Sequence, residues 1–109
     1  MERRFDIVIL LDIYGELLAN SHREALDMRY NADLSLSEIA EEMGGVTRQS
    51  VVYSIRKGEQ RLMELEEKLG FAKRLHSVSA KLEQVESLLE QGNSIDEIKH
   101  LLSEIKREL

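Results

Sequence analysis

Not one proline interrupts this chain of 109 residues. Proline is the strongest local stop to a helix, because its ring locks φ, clashes with the preceding turn and removes a hydrogen-bond donor. Glycine, the next strongest, occurs only six times. Good helix formers such as Leu, Glu, Lys and Arg are abundant. Apolar residues make up 42% of the chain, enough for one packed core at this length. Their spacing is helical nearly everywhere, so an all-α fold is expected.

Six segments carry that spacing. Ile7, Leu10, Leu11, Tyr14, Leu17 and Leu18 predict a helix over 5–18, broken at Ala19-Asn20-Ser21. Ser21 and Glu24 have the spacing of a capping box, which would open a second helix with Leu26 and Tyr30 inward. After the turn Asn31-Ala32-Asp33, Ser35 and Glu38 form another such pair. A short helix follows with Leu36, Ile39, Ala40 and Met43 on one stripe, closed by Gly44-Gly45. Thr47 caps a longer fourth helix that ends at Gly70, with Val51, Ile55, Leu62, Leu65 and Leu69 inward. Gly58 lies within it, and marks either close packing or a bend. A fifth helix spans about 72–90, with Leu75, Val78, Leu82, Val85 and Leu89 inward. Beyond Gln91-Gly92-Asn93, Ser94 and Glu97 cap a sixth, whose stripe is Ile95, Ile98, Leu101, Leu102, Ile105 and Leu109. The expected division is a helix-turn-helix domain over 1–70 and a helical hairpin over 71–109 that serves association.

The order of events from Ser35 to Arg61 points to function. A short helix, a glycine turn, an N-capping threonine and a longer helix are the layout in which the second helix enters a DNA major groove. The small Ala40 lets the two helices cross closely. At about 100° per residue, the side of the fourth helix opposite Val51 carries Gln49, Tyr53, Arg56 and Gln60, with Lys57 at its edge and Arg48 in the first turn. Arg and Gln can read base edges, and Lys and Arg neutralise phosphates. Charge follows the same division. The net charge is −6, which argues against nucleic acid for the chain as a whole. Residues 1–46 hold four basic and ten acidic groups, and residues 62–109 hold seven and ten. Residues 47–61 instead set Arg48, Arg56, Lys57 and Arg61 against Glu59 alone. The alternative is a solvated helix face within a bundle.

The stretch Arg23-Glu24-Ala25-Leu26-Asp27-Met28-Arg29-Tyr30, followed by Asp33 to Glu41, resembles region 4 of sigma factors. A wider match is to the YlxM family of small bacterial helix-turn-helix proteins. It rests on Leu11-Asp12-Ile13-Tyr14-Gly15-Glu16-Leu17-Leu18, Asp33 to Glu42, Thr47-Arg48-Gln49-Ser50-Val51 and Glu64-Leu65-Glu66-Glu67-Lys68-Leu69, within residues 5–70. The resemblance implies a sigma-region-4-like module and a DNA-binding regulator associated with the signal recognition particle pathway. Arg48 and Gln49 match the family's Ser-Arg-Gln motif, and Arg56 and Lys57 its Lys-Arg pair. Two departures stand out: Gly44-Gly45 fills a turn where the family usually has one residue, and Val52-Tyr53-Ser54 replaces Tyr-Asp-Asn.

Other chemistries find little support. His22, His76 and His100 stand far apart, none with a second histidine at ligand spacing, and the chain has no cysteine, so no metal or cofactor is expected. Gly44-Gly45 lacks the Lys-Ser/Thr of a phosphate-binding loop. No catalytic residue is assigned and no enzymatic activity is expected. The longest apolar run, Ile7 to Leu11, is far below the roughly 20 residues of a membrane span. A cytoplasmic protein without membrane contact is expected. The last two helices either fold back on the module or pair with a second copy. Such a homodimer would present two recognition helices to two half-sites on double-stranded DNA. The acidic surfaces leave a second function open: an adaptor that binds the particle's GTPase or its receptor without touching DNA.

Overall fold

A computed structural model describes residues 3–92 and 95–109. Among these it shows helices α1 (Arg3–Tyr14), α2 (Asn20–Tyr30), α3 (Leu36–Glu42), α4 (Arg48–Leu69), α5 (Phe71–Gln91) and α6 (Ile95–Glu108), and no strand. The chain divides into two compact units, Met1–Gly70 and Phe71–Leu109.

The first unit is assembled around α4, against which α1, α2 and α3 all pack. Its core holds Ile7, Tyr14, Leu26, Ile39, Val51 and Leu62, each almost wholly buried. Burying side chains of this size stabilises by roughly 1.5–3 kcal/mol each. Two tyrosines carry polar tips into the same packing. Tyr14 donates its hydroxyl hydrogen to Glu66 Oε1 at 2.7 Å, and Tyr30 donates to Glu59 Oε1. Each pair joins an earlier helix to α4 and satisfies a polar group within a largely apolar contact. Gly58 sits where α2 crosses α4. A Cβ there would meet Leu26 Cδ1 at 2.5 Å and Leu26 Cγ at 3.1 Å. The glycine therefore serves close packing, and α4 continues as one helix through it.

Two boundaries differ from the sequence expectation. The first helix ends at Tyr14 rather than at residue 18, and Gly15–Leu17 forms a tight 3₁₀ turn closed by the Leu18 N–H bonding to Gly15 O at 3.1 Å. Glycine weakens the α-helix here, and the tighter turn buries Leu18 while leaving Leu17 61% exposed. The second helix begins at Asn20 with Ala19 at the N-cap and no side-chain cap, so Ser21 and Glu24 form no capping box. The Arg23 N–H already bonds Ala19 O at 3.0 Å. Burial of Leu18, Ala25 and Leu26 sets the start of this helix in place of a local cap. The proposed Ser94 cap lies outside the described residues.

The helix-turn-helix itself follows the sequence. Ser35 Oγ accepts from the Glu38 N–H at 3.1 Å, and Glu38 Oε1 accepts from the Ser35 N–H at 3.0 Å. These bonds, the backbone one first, hold the Glu38 carboxyl below its ordinary pKa. The folded value lies under the unfolded one, so the cap's contribution is present above the ordinary glutamate range and is lost as pH falls through the folded value. Melting followed against pH should therefore show a smaller acid-side decline for Glu38→Gln than for the parent chain. Identical pH profiles would mean that the carboxylate does not cap. The α3 C-terminus closes with the Gly45 N–H on Ala40 O at 3.0 Å and the Gly44 N–H on Glu41 O at 3.1 Å, the paired bonds of a Schellman turn. Both glycines have φ near +90° or +82°, so the second is used as fully as the first. Ile39, Ala40 and Val51 form the buried centre of the motif, with Met28, Leu34, Leu36, Met43 and Ile55 around them. Thr47 Oγ1 accepts from the Ser50 N–H at 3.0 Å and caps α4. Thr47→Ala should lower the stability of the first unit by about 1 kcal/mol in denaturant unfolding, and no change would remove the cap from the account.

The second unit is an antiparallel pair, α5 on α6. Lys81 Nζ lies 3.6 Å from Glu104 Oε2 and 3.2 Å from Glu108 Oε2, and Ser77 Oγ donates to Glu108 Oε1 at 2.6 Å. The serine bond, with Lys81 behind it, holds the Glu108 carboxyl below the usual carboxylate range. Val85 and Ile105 are buried. Leu75, Leu82 and Leu89, expected inward, are instead 54%, 43% and 63% exposed, because two helices cover only one edge of each apolar stripe.

Candidate nucleic-acid interface

One side of α4 is spent on the core. Val51, Ser54, Gly58, Glu59, Leu62 and Leu65 are buried along it. The helical turn then forces the opposite side outward, so that Gln49, Tyr53, Arg56, Lys57 and Gln60 are exposed, and Arg48 is exposed by its place in the first turn. Five of the residues named from the sequence thus share one surface of the helix, with Arg48 at its N-terminal end.

The electrostatics sharpen this arrangement. Glu59, the one acidic residue among 47–61, is 9% exposed and accepts a hydrogen bond from Tyr30 on the core side. Its charge is removed from the outer face. Among the described residues, Arg48 and Arg56 enter no ion pair. Lys57 Nζ stands 5.7 Å from the centre of the Tyr53 ring, whose other neighbour is the edge-on His22 ring at 6.4 Å. These contacts give Tyr53 a preferred position on an otherwise open surface. Arg61, one turn further along, pairs with Glu64 at 3.6 Å.

A shallow groove runs beside this face, lined by Leu36, Val52 and the four residues Arg48, Gln49, Tyr53 and Arg56. Leu36 and Val52 escaped the sequence reading because the groove exists only where the start of α3 meets α4. Leu36 directly follows the Ser35 cap, so the first turn of a capped helix was the available signal. Cationic and amide side chains around a small apolar floor can hold phosphate oxygens at the rim and meet base edges or a thymine methyl within. Among the described residues no cluster of three or more metal-ligating side chains forms, and no helix is long and apolar enough to cross a membrane.

A short helix, a glycine turn and a longer helix with an open outer face define a helix-turn-helix protein. The match to known sequences is specific. Residues 1–106 fit the model of the UPF0122 family, described as "Putative helix-turn-helix protein, YlxM / p13 like", and the chain belongs to that family. A UPF0122 protein of Clostridium kluyveri is 49% identical over 69 residues, covering 63% of this chain and 61% of its own length. One from Acetivibrio thermocellus is 43% identical over 70 residues, covering 64% and 59%. One from Desulforamulus reducens is 39% identical over 82 residues, covering 75% and 69%. The chain thus spans about three-fifths of the length of the first two relatives.

Proposed function

We propose that this chain is a non-enzymatic regulatory protein that binds double-stranded DNA through the outer face of α4. Arg48, Gln49, Tyr53, Arg56, Lys57 and Gln60 carry the contact. The observation behind this reading is the inward turn of Glu59, which leaves a cationic and amide face on a chain of net charge −6. In this reading Arg48, Arg56 and Lys57 neutralise phosphates, Gln49 meets base edges, and Tyr53 and Gln60 complete the surface. The first unit carries the binding, and the hairpin joins two copies into a homodimer that offers two such faces. In this reading the protein acts in the cytoplasm, in the setting of the signal recognition particle pathway that the family resemblance implies. Fluorescence anisotropy of a labelled duplex at two salt concentrations tests the proposal. Binding should weaken steeply with salt, with a logarithmic slope of roughly −0.9 for each phosphate neutralised. A salt-independent isotherm, or no binding at low salt, would rule it out.

A second reading has its own observation. Between α1 and α2 runs a groove whose lining sets Asp12, Glu16, Glu24 and Asp27 against Arg23, beside Ile9 and Ile13. An acidic rim around apolar side chains suits a basic protein partner, and the particle's GTPase or its receptor is the partner this adaptor reading names. Charge reversal of Asp12 and Glu24 should abolish co-purification with such a partner while leaving duplex binding intact. Unchanged co-purification would end the adaptor reading.

A further inference from the structure

The hairpin leaves half of a regular pattern uncovered. Leu75, Leu82 and Leu89 recur every seven residues on α5, and Ile95 and Leu102 on α6 with Leu109 just beyond its end do the same. Each series is followed three residues on by a β-branched one, Val78 and Val85 on α5, Ile98 and Ile105 on α6. A 3-4 alternation of this kind is the seam along which helices pack side by side over their length. Within the hairpin the β-branched series is covered, with Val85 and Ile105 buried and Val78 and Ile98 half-buried, while the six leucines and isoleucines of the first series are between 41% and 84% exposed.

Those six residues share one face. Seen down α5, Leu82 lies about 40° to one side of Val78 and Lys81 about 60° to the other. The same offsets separate Leu102 and Leu101 from Ile98. Because α5 and α6 run antiparallel, the sense of rotation reverses between them, and the two exposed series fall on the same side of the hairpin. The opposite side carries the Lys81, Glu104 and Glu108 cluster.

The outer margins of the apolar face differ in charge. On α5 the residues just beyond the leucines include Glu83, Glu86 and Glu90, and on α6 they include Lys99 and Lys106. Lys81 pairs across the hairpin with Glu104 and Glu108. Counting antiparallel from there, Glu83 and Glu86 stand level with the stretch between Lys99 and Lys106. We infer that a second copy of this chain covers the face, forming a four-helix bundle in which α5 of each copy lies against α6 of the other. The twofold axis then runs along the helices, every neighbouring pair is antiparallel, and the acidic margin of α5 meets the basic margin of the partner's α6. The alternative twofold, perpendicular to the helices, sets α5 on α5 and brings like charges together. A two-helix unit of this size also lacks the core to stand alone. Leucine in the first series with β-branched residues in the second favours four-helix over two-helix packing in parallel coiled coils, and the same shapes serve here.

This inference deepens the homodimer stated above and is independent of DNA, so it is tested without DNA. Sedimentation equilibrium of the full chain should give twice the 12.6 kDa chain mass. Leu82→Glu with Leu102→Glu should return it to the monomer mass. Glu86→Lys alone should raise the dimer dissociation constant roughly tenfold, and adding Lys99→Glu, at the position level with it, should recover most of that loss. Exposed charge reversals do not unfold a helix, so this series decides the matter even if the glutamates disrupt the hairpin. A monomeric parent chain, or a leucine variant that stays folded and dimeric, would overturn the proposal. Tighter association of Glu86→Lys alone would overturn the orientation. A monomer that still binds duplex would leave the DNA reading standing without this one.

Discussion

Replacing both Arg48 and Arg56 by alanine should weaken duplex binding roughly 100-fold at low salt, about 2.7 kcal/mol, for each face engaged, and remove about two per face from the magnitude of the salt slope. Both side chains project from the exposed side of α4 and have no ion-pair partner among the described residues. Their removal therefore leaves no buried charge behind, and the loss should appear in binding rather than in stability. Thermal melting of the double variant should match that of the parent. Arg61→Ala is the internal comparison. Arg61 already pairs with Glu64, so its removal should cost less than that of either arginine. If the double variant binds with parental affinity and slope, α4 does not carry the contact.

The largest effect on stability should come from Gly58→Val. Leu26 is wholly buried and cannot swing away from the new Cβ, which would stand 2.5 Å from its Cδ1. Overpacking of this kind costs about 2 kcal/mol even where the chain adjusts, which for a unit of this size lowers the melting midpoint by roughly 10 °C. The pair can be tested as a pair. Leu26→Ala opens a cavity and is destabilising alone, yet it makes room for the valine. The two changes together should cost less than the sum of their separate costs. Strict additivity would mean that the helices do not touch where Leu26 meets Gly58.

Much of this architecture is legible in the sequence, and the reasons are local. Ser35 with Glu38, and Thr47 with the N–H of Ser50, are caps written within four residues of chain, so the spacing alone identified them. Five of the outward residues of α4 follow from the phase of a single helix once Val51 is taken as buried, and Arg48 from its place in the first turn. The failures came where distant parts of the chain decide. Ser21 and Glu24 have the spacing of a cap, but burial of Leu18 and Leu26 starts α2 earlier. Gly58 was compatible with a bend or a close approach until Leu26 was found against it. The inward turn of Glu59 depends on Tyr30, which lies 29 residues before it. The apolar period of α5 marked a stripe correctly but could not say how much of it α6 would cover.

The central claim is that duplex DNA meets the outer face of α4. The most direct measurement is a titration of the isotopically labelled full chain with a short duplex, followed by backbone amide NMR shifts. The account predicts the largest changes from Arg48 to Gln60, at the exposed positions Arg48, Gln49, Tyr53, Arg56, Lys57 and Gln60, fading when salt is raised. Shifts gathered instead along the α1 and α2 groove, or on the hairpin, with this face of α4 unmoved, would contradict it.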